Sequence, residues 1–495
     1  MNIQDYLIFD LGASSGRAII CSYNGGKLDF KEIHRFENTP VEAAGTLYWD
    51  VLKLYNGVTA GLQKACRDSR NIVSAGIDTW GVDGGFIDKA GKLIANPVNY
   101  RDIRRNSVAE EVLDRISSKE IFDLTGRHPY SISTMFLFYA LVKDKSTEID
   151  NAAKFLMMPD LINYFLTGET FIEYTNAATT CLLNQSLNTW ENKVFSTLEL
   201  PINIMPELIC PGEKIGNIRR EVRDTLQVPE IPVIAPATHD TASAVAGVPA
   251  VGRNKKWAFV SMGTWGVFGI ETPQPVINEK IFKSGLSNAA TVDGRNFIAA
   301  YFPGLFVAQQ CLLKWRKDSG RHISWEETVS ECLKAPAFSC FINAADAAFA
   351  SVVPDMPGAV SQFCAKTGQK VPQTQSAVAR CCYESLAMRV KTAMIKLEKV
   401  SGEKFDVIHL VGGACNNIML CQWIANATGI PVIAGPVEAT AIGNLLMQMK
   451  GLGEISSVAE GRRIIADSFE LSRFEPADCA VWDEAYQKYC QITGD

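Results

Sequence analysis

The sequence predicts an α/β protein built from two large, related domains. Three observations carry that expectation. The chain of 495 residues is longer than one hydrophobic core usually organises, so two domains are the default. Short apolar runs bounded by Gly and polar residues are interleaved with helix-length segments, which is how α/β domains read. One arrangement also occurs twice. An apolar run, a turn of small residues and a second apolar run span Tyr6–Cys21 and return at Trp257–Ile270. The best boundary lies near Val248–Lys256, where Pro, Gly and charge interrupt the apolar pattern. That divides the chain into residues 1–247 and 248–495.

Composition narrows the class. Hydrophobic residues make up 47% and charged residues 21%, as expected of a soluble globular protein. No run approaches the roughly 20 apolar residues of a membrane span. The N-terminus, MNIQDYLIFDLG, has no basic region ahead of its apolar residues, so a cytoplasmic chain without a secretory signal is expected. A net charge of −6 and a pI near 5.6 argue against a nucleic-acid partner, and nothing suggests a membrane partner. The 14 cysteines contain no CxxC pair and mostly sit among apolar residues, as reduced core residues do. The five histidines show no HxxxH spacing. No structural metal is therefore expected. A monomer or a homodimer is compatible with all of this.

The elements follow in order. Tyr6–Phe9 and Ala18–Cys21 flank Asp10–Arg17, DLGASSGR. Runs of this length around a Gly/Ser turn read as a buried hairpin. Gly12 and Gly16 are expected to supply unusual backbone conformations. The N–H groups of Ala13, Ser14 and Ser15 can form an anion nest, and Arg17 adds a fixed positive charge suited to phosphate. Asp10, at the end of a buried strand, needs a partner or a cation, and Mg²⁺ on a nucleotide phosphate would serve. An ordinary small-residue turn with an Asp cap remains the plain alternative.

A strand over Lys27–Phe36, a helix over Val51–Cys66 and a strand at Ser74–Asp78 come next. The last runs into TWGVD, Thr79–Asp83, where polar and aromatic groups meet a flexible Gly81 at a strand end, a usual place for an α/β binding site. The alternative puts Trp80 in the core and makes Asp83 a turn cap. Asn99–Arg105, NYRDIRR, is dense in charge and reads as a solvated face. Glu110–Thr125 and Ser133–Lys145 read as helices, and Pro159–Phe165 and Thr175–Leu183 as short elements.

At IPVIAPATHDTASAVAG a buried strand from Ile231 meets His239–Asp240 and then a small-residue helix. Asp240 reads as an N-cap and as a general base held ionised by the helix N-terminus; the two are compatible. The second hairpin follows: WAFVS, then MGTWG with a hydroxyl at Thr264, then Val267–Ile270. Two such hairpins imply duplicated domains that grip a nucleotide. Phe405–Val411 is a strand ending in GGACNN, Gly412–Asn417, where Gly permits close approach to a ring or phosphate. A helix over Met419–Thr428, a strand at Ile430–Ala434 and a helix over Val437–Gly453 complete the chain's pattern. Gly443 within the last suggests close helix packing. Neither a Walker A sequence nor G-x-G-x-x-G occurs, so a nucleotide site here is of another kind.

DLGASSGR, GIDTWGVD, YRD, PATHDTASAV, MGTW, HLVGGACNN and GPVEATAIGN occur in this order. With them, the chain resembles the FGGY family of sugar kinases over nearly its full length, and within it the rhamnulokinase branch. The resemblance implies two actin-like ATPase (ribonuclease H-like) domains with an active-site cleft between them. Ala13, Ser14, Ser15, Gly16 and Arg17 match the phosphate-binding loop. Gly81 matches a sugar contact. His239, Asp240 and Thr241 match the sugar-binding triplet, with Asp240 as proton acceptor. Thr264, Gln309 and Gly413 match nucleotide contacts; of these, Gln309 had no signal of its own. The implied reaction moves the γ-phosphoryl group of ATP, with Mg²⁺, to a ketose, most readily O1 of L-rhamnulose. One position departs from the branch: Tyr301 stands eight residues before Gln309 where an Asn contacts the sugar. Ala414 replaces a usual third Gly. A kinase of another ketose such as L-fuculose, a non-catalytic sugar- or nucleotide-binding protein, and an actin-like assembly protein are the alternatives. The retained Asp240 disfavours the second of these, and the third would leave THDTASAV without a purpose.

Overall fold

The computed structural model describes residues 3–69, 71–252, 256–349 and 353–494. Two compact units emerge, and they follow the chain less simply than one cut near residue 248. The first holds Met1–Val251, Glu271–Ile298 and Ala439–Phe469; the second holds Gly252–Ile270, Ala299–Glu438 and Glu470–Asp495. Among the described residues no helix is long and apolar enough to cross a membrane.

In the first unit β1 (Gln4–Leu11), β2 (Ser15–Tyr23) and β3 (Leu28–Glu37) form an antiparallel meander. The helix α1 (Val51–Asp68) follows because Val51, Leu54, Val58, Leu62 and Ala65 fall on one face, all buried. Asp50 caps it, accepting from the Lys53 N–H at 3.0 Å. Next come β4 (Ile72–Thr79), β5 (Lys214–Asn217) and β6 (Pro232–Ile234), and the sheet order is β5-β6-β4-β1-β2-β3. β4 runs parallel to both β1 and β6, whereas β5 is antiparallel to β6. Leu7, Phe9, Val58, Leu62 and Ile77 form one core beneath this sheet, and Phe136, Phe138 and Phe155 belong to a second. Each such side chain is worth about 1.5–3 kcal/mol on burial. The helix expected over Glu110–Thr125 is two helices, Ala109–Arg115 and Ser118–Thr125. Ser117 interrupts it by accepting the Glu120 N–H, and so starts a new helix. A short helix, α2 (Asp240–Ala246), closes this part of the unit.

The second unit repeats the plan. Its strands are β7 (Trp257–Met262), β8 (Trp265–Thr272), β9 (Asn296–Pro303), β10 (Val407–Val411), β11 (Val432–Ala434) and β12 (Ser472–Phe474). They lie in the order β9-β8-β7-β10-β11-β12. The hairpin β7–β8 is antiparallel, β7, β10 and β11 are parallel, and β12 is antiparallel to β11. The five strands β9-β8-β7-β10-β11 match β3-β2-β1-β4-β6 of the first sheet, so the repeat seen in the hairpins extends to most of the topology; the antiparallel edge strand precedes its neighbour in the chain in the first sheet and follows it in the second. Its helices include α3 (Phe306–Ser319), α4 (Met356–Lys366), α5 (Gln375–Ser401) and α6 (Ile418–Thr428).

The chain then returns to the first unit as α7 (Ala439–Gly451). It packs on α2 at backbone distance. A Cβ at Gly443 would lie 1.8 Å from the Ser243 carbonyl oxygen, and one at Gly247 2.3 Å from that of Ala439. The close packing expected at Gly443 is thus what the structure has.

Candidate active site

The β1–β2 register sets Asp10 opposite Arg17, and the two side chains form an ion pair. The strand-end carboxylate therefore meets its cation within its own hairpin. The turn is pinned from β3's end: the Gly12 N–H donates to Ser15 O at 2.9 Å, the Asn38 N–H to Ser14 O at 3.1 Å, and Asn38 Nδ2 to Gly12 O at 2.9 Å. The expectation of unusual backbone at Gly12 and Gly16 fails, because neither has a positive φ. Gly16 is needed for space instead, since a Cβ there would sit 2.4 Å from the Phe36 ring.

Thr79–Asp83 lies directly beside Thr238–His239. The Thr79 N–H donates to Thr238 O at 2.8 Å, and Thr79 and His239 form a parallel bridge. Gly81 has no room for a side chain, with Thr179 Cγ2 2.7 Å from where a Cβ would be. Val82 holds φ +68°, a conformation that a β-branched residue resists. It is fastened by its N–H to Thr179 Oγ1 at 2.9 Å and by Thr134 Oγ1 donating to its carbonyl at 2.8 Å. Asp83 does not merely cap a turn. It is fully buried and accepts from Trp49 Nε1 (2.6 Å), Trp80 Nε1 (3.0 Å), the Tyr100 N–H (3.1 Å) and Arg105 Nη2 (2.5 Å). Burial pushes its carboxyl upward while Arg105 and the indole donors oppose the rise.

Asn99–Arg105 is accordingly a solvated face only in part, at Arg101 and Ile103. Asn99, Asp102 and Arg105 are buried. Asp102 accepts the Leu47 N–H at 2.8 Å, and Arg105 supports the loop that carries Gly81. The charges are there to satisfy one another in a low-dielectric interior.

The Thr238–Thr241 segment is held from below by Glu173. Its Oε2 accepts from the N–H and Oγ1 of Thr238, both at 2.8 Å, and from Thr175 Oγ1 at 2.5 Å. Asn176 Nδ2 reaches Trp80 O and Thr238 O at 3.4 and 3.3 Å, tying both loops together. His239, not Asp240, occupies the N-cap position, and Asp240 is the first residue of α2. Asp240 Oδ1 accepts the Thr241 N–H at 2.5 Å. Its carboxyl is not held low by the short helix. Burial first, and then the Asp10 charge, raise it from 3.8 to about 6. His239 is driven the other way, to about 3, by burial and by Arg127. It is a neutral imidazole whose Nδ1 has no hydrogen-bond partner among the described residues. Its Nε2 lies 3.6 Å from Asp240 Oδ1, too far for a hydrogen bond.

Asp78 is aligned with Asp10 in the β1–β4 register. α7 supplies its partner: Asn444 Nδ2 donates to Asp78 Oδ2 at 2.6 Å, while Asp78 Oδ1 has no partner among the described residues. Burial, followed by the Asp10 charge, raises Asp78 well above the carboxylate range. Gln448, one turn on, accepts from Ser74 Oγ at 2.7 Å and donates to Leu7 O at 3.1 Å.

The second unit gathers the remaining expected residues. Thr264 lies in the β7–β8 turn, and its Oγ1 donates to Gln309 Oε1 of α3 at 3.1 Å. Backbone bonds from Gly304 to Thr264 O and from Leu305 to Gly263 O, both 2.9 Å, dock the start of α3 on that turn. Gly412 has φ +89°, and a Cβ there would meet Met262 O at 3.0 Å. Gly413 opens a 3₁₀ turn beside the same hairpin, with nothing within 4 Å of where its side chain would be. Tyr301 is half-buried on β9.

Each unit thus assembles its own share of the expected site: Asp10, Ala13–Arg17, Gly81 and His239–Thr241 in the first; Thr264, Tyr301, Gln309 and Gly413 in the second. Sequence reasoning missed the supports, namely Trp49, Arg105, Glu173, Asn176, Thr179, Asn444 and Gln448. Asn444 and Gln448 carried a usable signal, being amides four residues apart inside the apolar run AIGNLLMQM.

Comparison with known proteins gives the family. Residues 5–247 match the model of the FGGY family of carbohydrate kinases, N-terminal domain, and residues 258–452 that of the C-terminal domain. The chain is 38% identical to a rhamnulokinase of Bacteroides thetaiotaomicron, over 98% of each chain. It is 35% identical to one of Halalkalibacterium halodurans, over 95% of this chain and 99% of the other. In fold it is similar to a ligand-bound xylulose kinase of Lactobacillus acidophilus (TM-score 0.81, 16% identity, 99% and 98% of the two chains). It is also similar to a Plasmodium falciparum glycerol kinase with ADP (TM-score 0.77, 15% identity, 99% and 98%). The two-domain α/β fold, the paired hairpins and these full-length matches converge: the chain belongs to the FGGY family of carbohydrate kinases.

Proposed function

We propose that this kinase transfers the γ-phosphoryl group of ATP to O1 of L-rhamnulose. The observation that carries the reading is the pair His239–Asp240. A carboxylate raised to about 6 is ionised at neutral pH yet basic enough to take a hydroxyl proton. Beside it, the neutral His239 presents an unpartnered Nδ1 to a sugar hydroxyl. Gly81, packed against Thr179, offers its backbone to the sugar. Thr264, Gln309 and Gly413 form the nucleotide corner of the second unit, and the Ala13–Arg17 turn faces the phosphates.

The donor set suits Mg²⁺, a hard cation that prefers carboxylate oxygen. Asp10 would hold it while sharing its carboxylate with Arg17, and the orphaned Asp78 Oδ1 lies beside Asp10 in register. When bound, the ion neutralises charge on the phosphoryl oxygens. The protein's own part is to orient the hydroxyl at His239 and Gly81, to accept its proton at Asp240, and to hold the phosphates on N–H groups.

The names of the relatives support L-rhamnulose, and Tyr301 supports a second reading, another ketose such as L-fuculose. A phenol fills volume that an amide leaves open, so the sugar pocket differs from that of the branch. ADP release measured with L-rhamnulose, L-fuculose and L-ribulose decides. The proposal expects the highest kcat/KM for L-rhamnulose. A higher value for L-fuculose replaces it with the second reading, and no sugar-dependent ADP release rejects both.

A further inference from the structure

We propose that Cys340, Cys364 and Cys381, in the second unit, form a thiolate site for one soft divalent cation of the zinc group. The three sulfur atoms all lie within 4.8 Å of one another. Zn–S bonds of about 2.3 Å at tetrahedral angles place the sulfurs about 3.8 Å apart, so a contraction of at most about 1 Å closes the site. The cysteines come from three separate pieces of chain: a loop after α3, the end of α4 and the first half of α5. Their exposures are 4%, 0% and 2%.

The surrounding hydrogen bonds hold that convergence in place. Gln369 Oε1 accepts the Phe341 N–H at 2.7 Å and its Nε2 donates to Phe341 O at 2.9 Å, while the Gln369 N–H donates to Cys364 O at 2.9 Å. Ser385 Oγ accepts the Ile342 N–H at 2.9 Å and donates to Cys381 O at 2.6 Å. One Gln and one Ser thus fasten the loop that carries Cys340 to both helices. Such outer contacts are what orient metal ligands.

The donor chemistry selects the cation. Three sulfurs without His or carboxylate favour soft ions over Mg²⁺ or Ca²⁺. A buried thiolate without a cation is costly. A divalent ion displaces the three S–H protons to solvent, leaving M(S)₃ with one net negative charge. A monovalent ion leaves two, which burial opposes. Lys370 contributes positive potential at Cys340. Cys382, adjacent in sequence, is hydrogen-bonded to Cys311 and lies outside the triad.

Cd²⁺ titration of the reduced full-length protein, read by thiolate-to-metal charge-transfer absorption and chelator competition, tests the site. The expected result is one tight equivalent, accompanied by proton release. Affinity should fall more than about tenfold, which even an outer contact can cost, in each of Cys340→Ser, Cys364→Ser and Cys381→Ser. Cys382→Ser and the exposed Cys210→Ser should retain it. Circular dichroism checks folding, and Cys364→Ala serves if the serine variant unfolds. A first equivalent that survives loss of Cys364, a titration without a tight equivalent, or a disulfide between two of the three in the protein as isolated would overturn the proposal.

Discussion

Asp240 pits activity against stability, and the conflict can be measured. Its carboxyl is raised from 3.8 to about 6 in the folded chain. That is about 2 units, or a ceiling of about 3 kcal/mol of folding free energy. The side chain keeps 36% of its exposure, so water screens much of the effect and about 1 kcal/mol is the realistic share. The sign follows from the direction of the shift. A carboxyl with a raised folded-state pKa contributes its stability below about pH 4 and loses it as pH climbs through 6. Asp240→Asn cannot ionise, so it should be more stable than the parent at pH 8, by roughly 1–2 °C in thermal midpoint for a chain of this size. Most of that gap should vanish by pH 4.5. The same variant should lose roughly 10²–10⁴-fold in kcat, and kcat of the parent should fall as pH drops through 6. Unfolding midpoints of both proteins at pH 4.5 and 8, without ligand, are the assay. A variant no more stable at pH 8, or a gap that fails to shrink in acid, would refute the reasoning.

Three further outcomes are expected. Arg105→Leu strands the Asp83 carboxylate in the interior and should destabilise the first unit by about 3–5 kcal/mol, read as a lower denaturation midpoint; a loss below 1 kcal/mol would contradict the buried pair. Gly443→Ala drives a methyl into the Ser243 carbonyl and should cost more than about 3 kcal/mol, whereas Gly413→Ala meets open space and should leave the midpoint alone while raising KM for ATP. Tyr301→Phe should change kcat/KM unequally across L-rhamnulose, L-fuculose and L-ribulose, by about 1 kcal/mol for the true substrate; one uniform ratio would remove Tyr301 from sugar recognition.

Strands and their Gly-rich turns were legible because both signals are local. The two hairpins announced a repeat that extends to the order of five strands in each sheet. What stayed hidden depends on partners distant in sequence. Asn99–Arg105 looks like surface within its own window, since nothing there reveals that Asp83 waits 22 residues earlier for Arg105. Gly16 invited an argument from backbone freedom, but its reason is the Phe36 ring on a neighbouring strand. Asp240 was readable as a base, yet its raised pKa needed the burial and the Asp10 charge that only the fold provides. The cysteine triad has spacings of 24 and 17 residues, which resemble no metal motif.

The return of α7 to the first unit has a consequence for synthesis. The β1–β4 strands and α2 leave the ribosome early, but the helix that covers them begins only at Ala439. Making residues 248–438 takes on the order of 10–40 s. Throughout that interval Asp78 lacks Asn444, Ser74 lacks Gln448, and the close-packed seat around Ser243 and Gly247 stands open. The nascent first unit is therefore an unfinished body that cannot lock until Ala439–Gly451 has been made. Ribosome-bound chains halted before residue 439 should be protease-sensitive there, and those extended past 469 should not.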